Sequence, residues 1–233
     1  MSTSAHLEPD FLRFLAELAK HNDRSWFEPR KPRYESSVKD PFLHFVADLA
    51  PRLDKLEPRF VADPSPVGGS MMRIYRDIRF ARDKSPYKKA VAAHFWSAAG
   101  KGEGFPAFFI HLEPGKSLFG GGLWRPAPDL AKKVRDVIAG DVAGWRRIVQ
   151  APKFRSTFRL MGDSLKRVPA GYDPDSPVAE DLKRKDFIFG SDLTDRQVTS
   201  KELLALVVER CKTAMPFMRL LLGVSGGNKR ARA

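Results

Sequence analysis

The spacing of apolar residues changes near Val67, and this change limits the folds that the chain can adopt. Before Val67, apolar residues recur at helical spacing over residues 10–20 and 32–56. From Val67 to Trp124 they alternate with polar residues, as strands with one buried face require. Helical spacing then returns and ends in a helix predicted over residues 200–222. Helices, strands and helices in this order predict a single α+β domain.

The alternating region predicts an antiparallel sheet of about four to five strands. We expect its strands within about residues 72–124, the first of them over 72–80, and one more strand at 187–189. The sequence Glu-Pro-Gly-Lys at 113–116 is a strong turn signal, and so short a link joins antiparallel neighbours. The N-terminal and C-terminal helices are expected to pack against this sheet.

The 233-residue chain is long enough for a domain with its own core. We expect a flexible N-terminus over residues 1–9, the domain over 10–222 and a disordered basic tail over 223–233. The sequence has neither an apolar run of the roughly 20 residues that span a membrane nor the apolar stretch of a secretory signal. The single cysteine, Cys211, excludes an intramolecular disulfide and fits a reducing compartment. These features predict a cytoplasmic protein with no membrane partner, and they leave its oligomeric state open.

The chain carries 41 basic and 28 acidic residues, a formal net charge of +13. The excess is concentrated in residues 67–101, which hold eight basic and two acidic residues. A focused positive field attracts anions, and nucleic acid is the commonest large anion. A role of the charge in solubility alone stays open at this point.

The segment from Arg73 to Lys89 carries most of this charge. In an extended strand, Arg73 and Arg79 share one face with Asp77 between them, and two guanidinium groups so placed can grip a phosphate or carboxylate. Tyr87 adds a phenolic hydroxyl and a stacking surface. The predicted anion-binding residues are Arg73, Arg76, Arg79, Lys84, Tyr87 and Lys88.

Three functions fit this segment. The first is a binding module for nucleic acid or another polyanion. The second is an enzyme for a small phosphorylated or carboxylated substrate, with Asp77, Asp83 and Lys84 as the candidate catalytic residues. The third is a structural ion-pair network in a protein that acts through a protein partner.

Other motifs carry weaker signals. The run Gly120-Gly121-Gly122 lacks the lysine and hydroxyl residues of a P-loop, so a bulge or a close backbone approach in a strand is the preferred interpretation. His94 and His111 lie on consecutive predicted strands without an acidic partner at metal-ligand spacing. No metal and no cofactor is predicted.

Several segments resemble the uncharacterised family called domain of unknown function 2461, which occurs in bacteria and fungi. The most specific is the run Arg-Ile-Tyr-Arg-Asp-Ile-Arg-Phe at 73–80, followed by Asp-Lys-Ser-Pro-Tyr-Lys at 83–88. The further matching segments are 11–15, 22–27, 120–126 and 182–187. The resemblance covers about residues 10–220, implies a single α+β domain and marks 73–88 as the hallmark of the family. It implies no activity, cofactor or catalytic residue.

Overall fold

A six-stranded antiparallel sheet forms the centre of the protein, with the strand order β1-β2-β3-β4-β6-β5. The computed structural model describes residues 6–97, 100–102 and 104–226. The strands are β1 Phe60–Val61, β2 Val91–Ser97, β3 Ala107–Leu112, β4 Ser117–Leu123, β5 Arg159–Met161 and β6 Phe187–Leu193. The predicted α+β class and antiparallel sheet are confirmed, with six strands rather than four to five.

Helices before and after the central strands pack together on one face of the sheet. They are α1 Pro9–Lys20, α2 Arg24–Phe27, α3 Lys31–Tyr34, α4 Asp40–Leu56, α5 Pro128–Gly140, α6 Val142–Val149, α7 Pro152–Thr157, α8 Ala179–Leu182, α9 Asp195–Val198 and α10 Leu203–Val224. A 3₁₀ turn at Glu28–Arg30 and a π-helical turn at Glu35–Lys39 join α2, α3 and α4 into one nearly continuous helical segment. The long α10 contacts α4, α5 and β4, so the two ends of the chain meet over the sheet.

The two faces of the sheet differ in burial because side chains alternate along each strand. Phe95, Phe108, Phe119 and Phe189 point toward the helices and are at most 2% exposed. The side chains on the opposite face are mostly half-buried. We call this opposite side the open face. The residues on it include His94, Trp96, Ala107, Phe109, His111, Leu118, Gly120, Gly122, Ile188, Gly190, Asp192, Arg159 and Met161.

The prediction of a regular strand over residues 72–80 is wrong. The chain makes only isolated bridges here, from Met71 to Ala93 and from Tyr75 to Tyr87. Between the two bridges lie three residues on one segment, 72–74, and five residues on the other, 88–92. Because these numbers differ, a regular ladder cannot connect the bridges. Of the apolar side chains in this pattern, Ile74 is buried, whereas Met72 and Phe80 are 38% and 95% exposed. Alternation along the sequence does not reveal this mismatch in length.

Two strands, β1 and β5, and two helices, α7 and α8, lie where the sequence predicts irregular chain. They are two to six residues long, too short for their periodicity to be recognised. Residues 1–5 of the predicted flexible N-terminus and residues 227–233 of the predicted tail lie outside the described residues. In the described part, Leu7 is fully buried and His6 Nε2 lies 2.8 Å from Asp48 Oδ2.

The carboxylate of Glu57 connects the N-terminal and C-terminal helices. It is 5% exposed and follows α4 directly. Arg59 donates to both of its oxygens at 2.7 and 3.0 Å, and Arg219 of α10 donates to Oε2 at 2.9 Å. The bond from Arg59, followed by that from Arg219, lowers the pKa of Glu57 from 4.5 to about 2 despite the opposing effect of burial.

We expect Glu57→Gln to lower the free energy of unfolding at pH 7 by about 1.5–3 kcal/mol, because it removes charge-assisted hydrogen bonds. A carboxyl whose pKa is lowered on folding stabilises the native state above its ordinary pKa of 4.5, and this contribution is lost as the pH falls toward about 2. The stability difference between the wild type and the variant should therefore shrink between about pH 5 and pH 2 in chemical unfolding experiments.

The control for this measurement is Glu180→Gln, at a side chain that is 83% exposed. It should change stability by no more than about 0.5 kcal/mol at any pH. A stability difference for Glu57→Gln that stays constant between pH 5 and pH 2 would contradict the assignment.

Candidate functional site

The basic segment 73–89 forms a loop that is closed by its own side chains. Arg76 Nη1 donates to Asp83 Oδ2 at 2.7 Å and to the carbonyl oxygen of Ser85 at 3.0 Å, and it also contacts Ser85 Oγ. The Asp83 carboxylate accepts further bonds from the backbone and the hydroxyl of Ser85. Arg76 therefore joins the two sides of the loop.

Arg79 and Lys84 are also bonded inside this loop. Arg79 donates to both oxygens of Asp77 at 3.0 and 2.7 Å. Lys84 Nζ donates to the carbonyl oxygen of Ile78 at 3.0 Å. Three of the six predicted anion-binding residues thus already have acceptors within their own segment.

The two candidate catalytic carboxylates are held ionised. The backbone and hydroxyl of Ser85, together with Arg76, lower the pKa of Asp83 from 3.8 to about 2. The Arg79 guanidinium likewise lowers the pKa of Asp77. A carboxylate with so low a pKa is a weak general base near neutral pH.

Tyr87 lies in the core rather than on the surface, at 1% exposure. Its ring stacks on Phe27 at a centroid distance of 4.1 Å. The side-chain amide of Asn22 donates to the backbone oxygen of Tyr87 and accepts from its backbone N–H, both at 3.0 Å. These contacts attach the base of the basic loop to the segment between α1 and α2.

Arg73 and Lys88 are different, because neither has a carboxylate partner among the described residues. Arg73 is exposed and follows Met72, whose N–H donates to the carbonyl oxygen of Ala92. Partial burial, followed by the charge of Arg73, lowers the pKa of Lys88. Burial and then the charge of Lys88 lower the pKa of His94. The charge of Lys88, which has no ion pair with a carboxylate among the described residues, therefore acts on His94 at the open face.

A cavity of about 530 Å³ lies on this open face. Its walls are the side chains of His94, Trp96, Phe109, Leu118, Met161 and Ile188. Met72, Phe105 and Trp124 stand at its edge and are between 37% and 43% exposed. The lining is mostly apolar and aromatic, as in sites that bind small organic molecules.

Glycines and an alanine form the floor of this cavity. The register of the sheet aligns Phe109, Gly120 and Gly190 in one row, and Ala107, Gly122 and Ile188 in the next. A Cβ on Gly120 would lie 2.4 Å from the backbone oxygen of Phe189. Gly122 has a φ of +126°, and a Cβ there would lie 2.2 Å from a backbone oxygen of β6. The run 120–122 therefore permits the close backbone approach predicted from the sequence, and it leaves a flat floor.

Polar contacts position the edge of the cavity. Lys101 Nζ lies 3.8 Å from the centroid of the Trp96 ring and 3.4 Å from the backbone oxygen of Gly68. On the other side, the N–H of Gly104 donates to the backbone oxygen of Trp124 at 2.9 Å. These bonds join the chain before β3 to the neighbouring loops.

Asp186 fixes the chain that follows Trp124. It is 6% exposed and accepts hydrogen bonds from the backbone N–H groups of Arg125 and Asp163 at 2.8 and 3.1 Å. Arg125 adopts a φ of +47°, which is uncommon for a residue with a side chain. The buried carboxylate thus stabilises an unfavourable backbone conformation at the cavity edge.

His94 and His111 lie on the open face but are not directly opposite each other. His94 is paired with Phe109, and His111 with Ala92. His111 Nε2 lies 3.1 Å from Glu113 Oε2, at the far end of β3. Within the described ranges, no group of three or more metal-ligating side chains occurs.

A family model matches most of the chain. It is described as "Conserved hypothetical protein (DUF2461)" and covers residues 10–220. The chain belongs to this family. Comparisons with curated proteins and with solved structures gave no match. In the part of the chain that the structure describes, no helix has the length and apolar character needed to cross a membrane.

Segments that carry the DUF2461 resemblance have clear structural tasks. Asn22 holds the basic loop, and Asp23 caps α2 by accepting from the N–H of Trp26 at 2.8 Å. Gly120 and Gly122 permit the approach of β4 to β6, and Asp186 fixes the cavity edge. These segments therefore position the basic loop, α2, the sheet and the edge of the cavity.

The cavity is the feature that sequence reasoning missed. The sequence feature that could have indicated the cavity is the glycine run inside a strand. It occupies positions where alternation would otherwise place large side chains. Met161 and Ile188 reach the cavity through the pairing of β5 with β6, which no local pattern indicates.

The role of Arg76 can be tested at the exposed residue Phe80, which is 95% accessible. We expect Arg76→Gln to raise the initial rate of chymotrypsin cleavage after Phe80 about two- to fivefold, because an ion pair that closes the loop is lost. Lys89→Gln, at an exposed position of the same loop and away from the cleaved bond, is the control and should leave the rate unchanged. Equal cleavage rates for Arg76→Gln and the wild type would show that Arg76 does not hold the loop closed.

Proposed function

We propose that the protein binds a small organic anion, with the apolar body of the ligand in the open-face cavity and its anionic group near Lys88 and Arg73. The observation that carries this proposal is a flat, glycine-floored apolar cavity whose wall includes His94, on which the positive charge of Lys88 acts.

The shape of the cavity favours a flat ligand. Gly120 and Gly122 present no side chains from the floor, while Trp96 and Phe109 offer aromatic surfaces on one side. A planar ring can lie on such a floor and contact aromatic walls, an arrangement that contributes to affinity beyond the area it buries. The cavity volume of about 530 Å³ is within the range of small-molecule sites.

The charge near the cavity favours an anionic group. Lys88 is partly buried and lacks a carboxylate partner among the described residues, so its charge is poorly screened by solvent. An anion at this position would offset the electrostatic cost of holding Lys88 beside Arg73 and His94.

The other predicted functions stay predictions. Nucleic-acid binding through Arg76, Arg79 and Lys84 would require these residues to exchange their present acceptors for phosphate. The ionised, paired state of Asp77 and Asp83 favours binding over acid–base catalysis. The cytoplasmic location also stays a prediction.

The test uses two dyes of similar shape: the anionic 8-anilinonaphthalene-1-sulfonate and the neutral N-phenyl-1-naphthylamine. We expect Ala107→Leu, which places a larger side chain on the cavity floor, to weaken both dyes about tenfold or more. Lys88→Met should weaken the anionic dye about three- to tenfold and leave the neutral dye unchanged. Fluorescence titrations measure both affinities.

Lys133→Met is the matched control, because Lys133 is an exposed lysine on α5 in the helical layer. It should bind both dyes as the wild type does. Wild-type affinity of Ala107→Leu for both dyes would place the dyes elsewhere and overturn the cavity assignment. Equal weakening of both dyes by Lys88→Met would overturn the role of its charge.

A further inference from the structure

A second concave site lies at the edge of the sheet, where β5 begins beside β6, and shares no lining residue with the open-face cavity. It is a polar groove of about 560 Å³ between α7, the start of β5, the end of β6 and α10. Four basic and two acidic residues line it, which leaves an excess of two positive charges. The basic residues are Lys153, Arg155, Arg159 and Arg210.

Arg210 is the unusual member of this group, because it is only 8% exposed. One of its nitrogens, Nη2, donates to the backbone oxygen of Asp192 at 3.1 Å. The other, Nη1, is fully buried and has no hydrogen-bond partner among the described residues. A buried cation with an unused donor is costly in free energy unless a counter-charge or another acceptor satisfies it.

Ser191 provides a second unsatisfied group at the same place. It is 6% exposed, and its Oγ also lacks a hydrogen-bond partner within the described ranges. Its side chain points toward the helices, on the same face of β6 as Phe189 and Leu193. Since Arg210 reaches the adjacent residue Asp192 from α10, the guanidinium and the hydroxyl lie on neighbouring parts of the groove.

The edge of the groove can rearrange at small cost. Arg159 is paired with Asp192 at 2.9 Å, and Lys153 is paired with Glu209. All four side chains are at least 48% exposed, and exposed pairs of this kind contribute little stability. These edge side chains can therefore exchange their present partners for a bound anion.

We propose that this groove binds the phosphate group of a small organic molecule through Arg210 and Ser191. Guanidinium and hydroxyl groups are donors that suit phosphate oxygens. Arg155 adds positive charge, since it has no carboxylate partner among the described residues, and Arg159 can turn from Asp192 toward the ligand. The groove is larger than a bare phosphate ion requires, which leaves room for the organic part of the ligand.

The experiment measures thermal unfolding in increasing inorganic phosphate, with sodium chloride adjusted to keep the ionic strength constant. We expect the melting temperature of the wild type to rise with phosphate, since a ligand that binds only the native state stabilises it. Arg210→Met should weaken the apparent phosphate affinity at least about tenfold, and Ser191→Ala about threefold. Glycerol 3-phosphate should bind at least as tightly as inorganic phosphate.

Two controls separate this site from other cationic surfaces. Arg147→Met removes an exposed arginine of α6 outside the groove and should keep the full phosphate response. Lys88→Met should keep it too, while Arg210→Met should bind the anionic dye as the wild type does. The two proposed sites can therefore fail independently.

The proposal is overturned if Arg210→Met and the wild type respond equally to phosphate, or if the wild type does not respond. Arg210→Met keeps an apolar stem and removes an unpaired charge, so we expect it to fold. If Arg210→Met does not fold, two other measurements test the site. They are the phosphate response of Ser191→Ala and the ¹⁵N NMR signals of the arginine side chains in the wild type. An Arg210 resonance that does not shift with phosphate would also reject the site.

Discussion

The pairing of β4 with β6 is the constraint on which the rest of the structure depends. It joins a hairpin in the middle of the chain to a strand near the C-terminus, and through it β5 becomes part of the sheet. The backbones approach so closely that Gly120 and Gly122 cannot carry a Cβ without a clash against β6. The same absence of side chains creates the flat floor of the open-face cavity, so one requirement of strand packing also shapes the candidate site.

In the part of the chain that the structure describes, the helices cover one face of this sheet. Phenylalanines from four strands and from α10 pack between the sheet and the helices, where Phe189 contacts both Phe154 and Phe217. Within residues 6–97, 100–102 and 104–226, the opposite face has no such layer and keeps half-buried aromatic and apolar side chains around the cavity. An apolar concave surface of this kind is characteristic of binding sites rather than of an ordinary solvated surface.

The large positive charge is unevenly available to a partner. Arg76, Arg79 and Lys84 bond within the hallmark loop, and Arg33 is bonded to Asp10 and Glu17. Arg73 and Lys88 near the cavity, and Arg210 in the polar groove, lack carboxylate partners among the described residues. Charge counted along the chain therefore overstates the importance of the densest basic segment, because neighbouring acidic residues and backbone oxygens already bind much of it.

Much of the fold could be predicted because periodicity is a local property. The helices α1 and α10 form close to their expected positions, and the strands β2, β3 and β4 lie within the region expected to hold strands. The strand expected over 72–80 does not form, because its partner segment contains extra residues that alternation cannot reveal. The candidate site was less predictable: the basic residues were recognised, but their partners were not, and the cavity requires contacts between distant strands.

The sequence by itself determined the α+β class, the antiparallel hairpin at 113–116, the close approach at the glycine run and the excess of positive charge. Only the tertiary structure decided which cations remain without carboxylate partners and where concave surfaces form. The physical reason is distance. Hydrophobic spacing acts over a few residues, whereas the partners of Arg210, Asp186 and Gly122 come from other elements that only folding brings together.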